Sequence, residues 1–467
     1  MLMMKFGGTS VGNAAAINQT VDIISSHARS GPVAAIVSAM SGITNTLLNL
    51  ADAAARGDSD AVETSRAVLL APHRSALLEL LEPGERRRQT EAMLATLVDE
   101  AARLLYSIYV LRELSPRAKD RLVSFGERLS SIVVAATLSE RGVASEAVPA
   151  DRLIVTDSKF GSAAPLLEQT RTQTRETLLP LFDRGVTPII TGFFGADTNG
   201  LTTTLGRGGS DYSASILGNV LDADEIWIWT DVSGVLTADP RLVPTARTLD
   251  AISYDEATEL AYFGAKVIHP KTMHPASDAG IPIWIKNTFE PDHQGTRIGT
   301  ESASTPVAKA IASISGLAAV TVEGRGQIGV SDVTARIFTS VGSTGANVFM
   351  ISQASSQHSV TFVVQDSDAQ AVCDALEEEF AGDLSSDRVL SISSDRALAI
   401  VAVVGAGMRG TPGVAGRVFS TMGDNRINIV TIAQGSSELN ISFAIPEADV
   451  ARAVNALHDA FVAPEVT

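Results

Sequence analysis

The last third of the chain repeats itself. An offset of 81 residues carries Gly324 onto Gly405 and, run forward without gaps, Arg336 onto Arg417, Phe338 onto Phe419, Asn347 onto Asn428 and Ile351 onto Ile432. The same offset carries Gln353 onto Gln434, Ser355-Ser356 onto Ser436-Ser437, Phe362 onto Phe443, Leu376 onto Leu457 and Phe380 onto Phe461. Self-similarity of this kind constrains the fold more than any single motif, because both copies must solve one packing problem. Each copy reads strand, glycine turn, helix, strand, strand, helix, with a further strand after the first copy; this is the βαββαβ order of a ferredoxin-like module. The second copy runs out of residues before its last strand. Val307 to Ile314 lies unclaimed ahead of the first copy and is expected to supply it, nesting one module inside the other.

Ahead of the repeat, apolar runs alternate with glycine loops and helices. Met1 to Met4 reads as a buried strand that delivers Lys5-Phe6-Gly7-Gly8-Thr9-Ser10-Val11-Gly12. Asn13 then caps a helix with Ile17, Val21 and Ile24 on one face. Strand, glycine turn and helix N-terminus converge on an anion site, and Lys5 adds a mobile positive charge suited to a phosphoryl group. The Walker spacing is absent, and a tight turn with a snorkelling lysine fits the same residues. Pro32 to Val37 is a second buried parallel strand. It leads into a loop, Ser38 to Asn45, in which Ser38 and Thr44 serve either a ligand or turn and cap chemistry. From Leu47 to about Arg117 the pattern is helical, broken at Pro83-Gly84. Glu85 to Arg88 reads as a solvated helix face. Phe125-Gly126-Glu127 falls at the head of a further helix, where Glu127 either binds a ligand ammonium or favours the helix N-terminus.

Thr187 to Gly195 again reads strand into glycine loop. After a hairpin-like section, Gly206-Arg207-Gly208-Gly209-Ser210-Asp211 opens a helix; Arg207 offers a fork for a carboxylate, and Asp211 is either functional or an N-cap. Glu225 to Trp229 is a strand ending at Thr230-Asp231, with Asp239-Pro240-Arg241 close behind and Lys266-Val267 further on. These units together predict an α/β domain with a mostly parallel sheet, ending near Thr300 before a linker from Glu301 to Pro306.

The net charge of −17, from 53 acidic and 36 basic residues, and the lack of a basic stripe exclude the usual nucleic-acid binder. Any cations in an anion site must therefore be local. A hydrophobic content of 45% with only 5% aromatics points to large aliphatic cores. No apolar run is long enough for a bilayer and no secretory signal is evident; with a single cysteine, Cys373, the expectation is a cytoplasmic protein. Seven histidines without metal-ligand spacing predict no protein-built metal site.

Taken together and in order, Lys5 to Val11, the Ser38–Asn45 loop, Gly126-Glu127, Gly206 to Ala214, Thr230-Asp231, Asp239-Pro240-Arg241 and Lys266-Val267 resemble the aspartate kinases, and the repeat resembles that family's paired ACT domains. The resemblance covers essentially the whole chain. It implies a three-layer α/β/α amino-acid-kinase sandwich over 1–300, an ACT domain over 315–393 and a second over 394–467, completed by a strand from 307–314. It implies transfer of the γ-phosphoryl group of ATP to the β-carboxylate of L-aspartate with Mg²⁺, the first step toward lysine, threonine and methionine. By motif position, Lys5 and Asp211 are the catalytic residues; Ser38, Thr44, Glu127, Arg207 and Ser210 bind aspartate. Lys5, Gly7, Gly8, Thr230, Asp231, Arg241, Lys266 and Val267 hold the nucleotide. Gln353 and Gln434 bind a feedback amino acid, threonine or lysine, and the ACT pair implies a homodimer or larger homo-oligomer. Leu236 stands where the family often has tyrosine. Glutamate, acetylglutamate and uridylate kinases share the sandwich but not the joint motifs, and an inactive amino-acid sensor is the alternative from another class. Length argues against a fused dehydrogenase.

Overall fold

Leu2–Phe6 (β1) forms a strand because protein covers both of its faces: Met3, Met4 and Phe6 are fully buried. Asn13 caps the following helix, its side-chain oxygen accepting from the Ala16 amide at 2.9 Å, and Ile17, Val21 and Ile24 are fully buried along that helix. The computed structural model describes residues 1–264, 268–300, 306–324, 331–353, 359–385 and 389–462. They fall into two units, the first built from 1–235, 250–254 and 268–300, the second from 236–249, 255–264 and the residues from 306 onward.

After β1 the first unit continues through α1 (Ala14–Ala28), β2 (Val33–Val37), α2 (Ile43–Arg56), α3 (Ser59–Leu80), α4 (Glu85–Leu111), α5 (Pro116–Glu140) and β3 (Ser145–Val148). There follow β4 (Val155–Thr156), α6 (Leu167–Asp183), β5 (Thr187–Thr191), β6 (Phe194–Asp197), β7 (Thr202–Thr204), α7 (Gly209–Val220) and β8 (Glu225–Thr230). Next come β9 (Ala251–Ser253) and α8 (Tyr254–Tyr262), most of which belongs to the second unit, then α9 (Pro270–Asp278), β10 (Ile283–Asn287) and β11 (Thr296–Gly299). Eight strands form one sheet in the order β3-β5-β2-β1-β8-β10-β11-β9, parallel except for the β10–β11 pair. The chain leaves β1 for β2 on one side and later fills the other side with β8. That reversal opens a crevice at the carboxyl ends of the strands, where ligands of open α/β sheets bind. Helix α5 is long and apolar enough to cross a bilayer by length and composition, unlike anything expected from the sequence, but 83% of that window is buried inside the protein. Its hydrophobicity is that of a core helix.

The second unit holds the repeat: β12 (Ala310–Gly324), α10 (Ser331–Ser343), β13 (Met350–Gln353), β14 (Ser359–Gln365), α11 (Ala369–Glu379) and α12 (Ala381–Ser385), then β15 (Val389–Val404), α13 (Val414–Asp424), β16 (Thr431–Ala433), β17 (Asn440–Pro446) and α14 (Val450–Phe461). Its sheet runs β13-β14-β12-β15-β17-β16, with each neighbouring pair antiparallel. The long strands β12 and β15 are shared. Ala310–Ile314 pairs with Val404–Ile400 while Leu317–Glu323 pairs with β14, so the start of β12 serves the second module and its end the first. Equivalent residues make equivalent contacts. Arg336 lies over the Phe380 ring at 4.3 Å and Arg417 over Phe461 at 4.7 Å; Phe338 packs edge-on to Phe362 as Phe419 does to Phe443. Segments from the middle of the chain also join this unit. Thr237 Oγ1 and His458 Nε2 are 2.9 Å apart, Lys309 and Glu256 form a buried ion pair at 3.0 Å, and Asn440 donates to Glu259.

Candidate active site

At the carboxyl end of β1, Lys5 is drawn inward. Its ammonium sits 2.7 Å from Asp211 Oδ1, and both side chains are largely covered. Asp211 is not the N-cap of α7. Gly208 occupies the cap with a φ of 70° and makes no side-chain cap bond, which leaves Asp211 in the first turn with its carboxylate aimed at Lys5. The glycines of this loop are required: a Cβ on Gly209 would fall 2.7 Å from the Phe193 ring, and one on Gly192 would fall 2.7 Å from Ser210. The N-terminus of α7 therefore lies tight against the end of β5, with its dipole favouring negative charge.

Glu127 approaches the same space from α5. That helix starts at Pro116 behind Ser115, whose hydroxyl accepts from the Ala118 amide, so Glu127 lies well inside it and not at its head. Ser-Pro was the missed start signal. Gly126 lets α5 close on the β2–α2 loop, since a Cβ there would sit 2.8 Å from the Ala39 methyl. Glu127 Oε1 then accepts from the Ala39 amide at 3.3 Å, while Oε2 is buried without a hydrogen-bond partner. Burial pushes the Glu127 carboxyl up to about 8, against the pull of the Ala39 amide and the Arg128 charge. An orphaned buried carboxylate oxygen beside a hydroxyl-rich loop is set up to receive a cationic group.

These groups enclose a cavity of about 350 Å³, lined among others by Lys5, Gly8, Ser38, Met40, Thr44, Glu127, Phe193, Ser210 and Asp211. Phe193 has no counterpart among the residues picked from sequence. It holds a φ of 76°, uncommon for an aromatic residue, with its amide donating to Ser213 Oγ at 3.0 Å. The Gly-Phe-Phe-Gly run was the available hint. Gly7 lies beside the cavity, but its amide donates to the Trp229 carbonyl at 3.1 Å and is committed to the sheet. Arg207 is exposed and is absent from the cavity lining. Among the described residues no group of three His, Cys, Asp or Glu could hold a metal ion.

Further along the strand ends, Thr230 and Asp231 follow β8, and the Thr230 hydroxyl donates to Asp231 Oδ1 at 3.2 Å. Arg241 belongs to the second unit, exposed and paired with Asp239, which raises its pKa. Lys266 and Val267 lie outside the described residues, as do Ser355 and Ser356. Gln353 closes β13 and Gln434 directly follows β16; both are exposed. Leu236, partly exposed, bridges to Thr248.

Comparison with known proteins agrees with this layout. Residues 1–287 match the amino acid kinase family, and residues 320–380 and 401–461 each match the ACT domain. The chain is 35% identical over 481 residues to the bifunctional aspartokinase/homoserine dehydrogenase 1 of Arabidopsis thaliana, covering 99% of this chain and 51% of that protein. It thus spans about half the length of the bifunctional relatives it matches. It is 32% identical to the lysine-sensitive aspartokinase 3 of Escherichia coli, with 98% of each chain covered. The crystal structure of E. coli aspartokinase III with aspartate and ADP superposes with a TM-score of 0.79 at 30% identity, over 98% of this chain and 99% of that one.

Proposed function

The chain belongs to the amino acid kinase family and, within it, to the aspartokinases, and from that premise we propose that it transfers the γ-phosphoryl group of MgATP to the β-carboxylate of L-aspartate. The observation that carries this reading is the cavity that brings the Lys5–Asp211 pair and the orphaned Glu127 carboxylate together at the strand ends. A carboxylate is already a deprotonated nucleophile, so the reaction needs in-line positioning and charge neutralisation and no general base. Lys5 neutralises charge on the group in flight, and Asp211 fixes the Lys5 ammonium. Glu127 receives the substrate ammonium, Ser38, Thr44 and Ser210 supply hydroxyls, and Arg207 takes a carboxylate by swinging in from solvent. The nucleotide lies over Gly7 and Gly8 and toward Thr230 and Asp231; Arg241, Lys266 and Val267 are assigned to it by motif position alone. Mg²⁺ arrives with ATP as part of the substrate.

Feedback belongs to the same proposal. Gln353 and Gln434 stand at equivalent ends of the two edge strands, offering amide donors and acceptors to a free amino acid such as lysine or threonine. Those edges also expose Ile351 and Ile432, at 50% and 44%, the features expected of strands covered by a second copy. The test of the reaction is trapping with hydroxylamine: aspartyl hydroxamate forms with MgATP and L-aspartate. Turnover of acetylglutamate or UMP with none of aspartate would contradict the proposal.

A further inference from the structure

Asp120 lies in α5 two helical turns before Glu127, on the same side of the helix and about 10 Å along it. It is buried, only 2% exposed, and its side chain bonds to backbone outside the helix. Oδ2 accepts from the Gly161 and Thr204 amides, both at 2.8 Å, and Oδ1 accepts from the Thr204 hydroxyl at 2.8 Å. A buried carboxylate with three donors is held firmly, and it holds its partners in turn. The two partner segments are also joined to each other, the Ala163 amide donating to the Thr204 carbonyl at 2.9 Å. Both lead to the cavity. Gly206, with a φ of 83°, rests so closely on Gly161 that a Cβ would fall 3.3 Å from the Gly161 carbonyl oxygen. The Leu205 amide donates to the Phe193 carbonyl at 2.9 Å. The turn that starts at Gly206 carries Arg207 and then Gly208, Gly209, Ser210 and Asp211, which line the cavity together with Phe193 and Glu127.

We propose that Asp120 is a positioning residue for L-aspartate. This rests on the kinase reading and adds the part that sets the spacing between the two grips on the substrate. Glu127 receives the ammonium from α5, and Arg207 reaches a carboxylate from the turn at 206–210. A small zwitterion is held at both ends only if those two segments keep a fixed separation. Asp120 supplies it, because it shares a rigid helix with Glu127 and bonds the backbone three residues ahead of Arg207. The Arg207 side chain faces solvent, so its reach depends on where its backbone is pivoted. Asp120 is absent from the cavity lining and acts through the turn alone.

The test is calorimetry on the full chain, with aspartate added in the presence of ADP and with ADP alone. Asp120→Ala raises the aspartate dissociation constant roughly tenfold, the scale of buried amides left without an acceptor, and leaves ADP binding unchanged. Asp120→Asn restores most of the aspartate affinity, since its side-chain oxygen can face both amides while the Thr204 hydroxyl turns to accept. Thr204→Val keeps both amide bonds, loses only the hydroxyl bond, and weakens aspartate binding by about threefold. In an Arg207→Ala background the Asp120→Ala loss shrinks to about twofold, because the group being positioned is already gone. Wild-type aspartate affinity in Asp120→Ala or Thr204→Val, equal weakening of aspartate and ADP, or losses that simply multiply in the double variant overturn the proposal. A wild-type chain that binds aspartate in this pattern yet does not phosphorylate it refutes the proposed reaction and leaves the positioning role standing.

Discussion

Glu127 is the residue whose state most depends on what fills the cavity. Its folded pKa near 8 lies above the ordinary value of 4.5, so the empty folded protein holds a proton that the unfolded chain releases. The folded state therefore has its advantage from this group below pH 4.5 and loses it as pH rises toward 8, by roughly 1.4 kcal/mol per pH unit at most. Thermal unfolding of the unliganded protein between pH 5 and 8 is expected to show this decline, and Glu127→Gln to flatten it. Aspartate brings an ammonium that requires the charged form. Its affinity for the wild type is expected to rise with pH up to about 8, with proton release measurable by calorimetry in buffers of different ionisation enthalpy; a pH-independent affinity would remove Glu127 from the substrate site. The sequence flags Glu127 and Asp211 as candidates but does not separate them from helix-terminus residues. That distinction depends on where α5 and α7 start, and so on Ser115-Pro116 and on the left-handed Gly208.

At the scale of elements, the strands were the most legible part. β1, β2, β5 and β8 are built mainly of apolar residues, as expected of strands in a parallel sheet covered on both faces. The residues that the repeat aligns also make equivalent contacts, Arg336 with Phe380 and Arg417 with Phe461, pairings that the sequence alone did not announce. Less legible were features that depend on approach rather than pattern, such as the close contact of α5 with the Ala39 loop and the strained Phe193. The edge strands carry the regulatory prediction. Gln353→Ala or Gln434→Ala is expected to shift inhibition by lysine or threonine to effector concentrations roughly fivefold or more higher, with uninhibited turnover intact, since coupling of about 1–3 kcal/mol is at stake. Wild-type inhibition curves in both variants would place the effector site elsewhere.

Over the whole molecule, the unit with the parallel sheet and the unit with the repeat are separately built, yet the chain passes between them more than once: residues 236–249 and 255–264 belong with the repeat although they lie within the stretch that matches the amino acid kinase family. Arg241 is on one of these excursions. No pattern in the sequence marks them, because their anchors are single tertiary contacts such as Thr237–His458 and Lys309–Glu256. The central claim remains that the Lys5–Asp211–Glu127 cavity performs phosphoryl transfer. The most direct measurement is aspartate-dependent ADP release by Lys5→Met beside the wild type, with ADP affinity measured on both. The stem is kept and only the charge is lost, so kcat is expected to fall by about a hundredfold or more while ADP binding weakens modestly. Near-normal turnover in Lys5→Met would contradict the account.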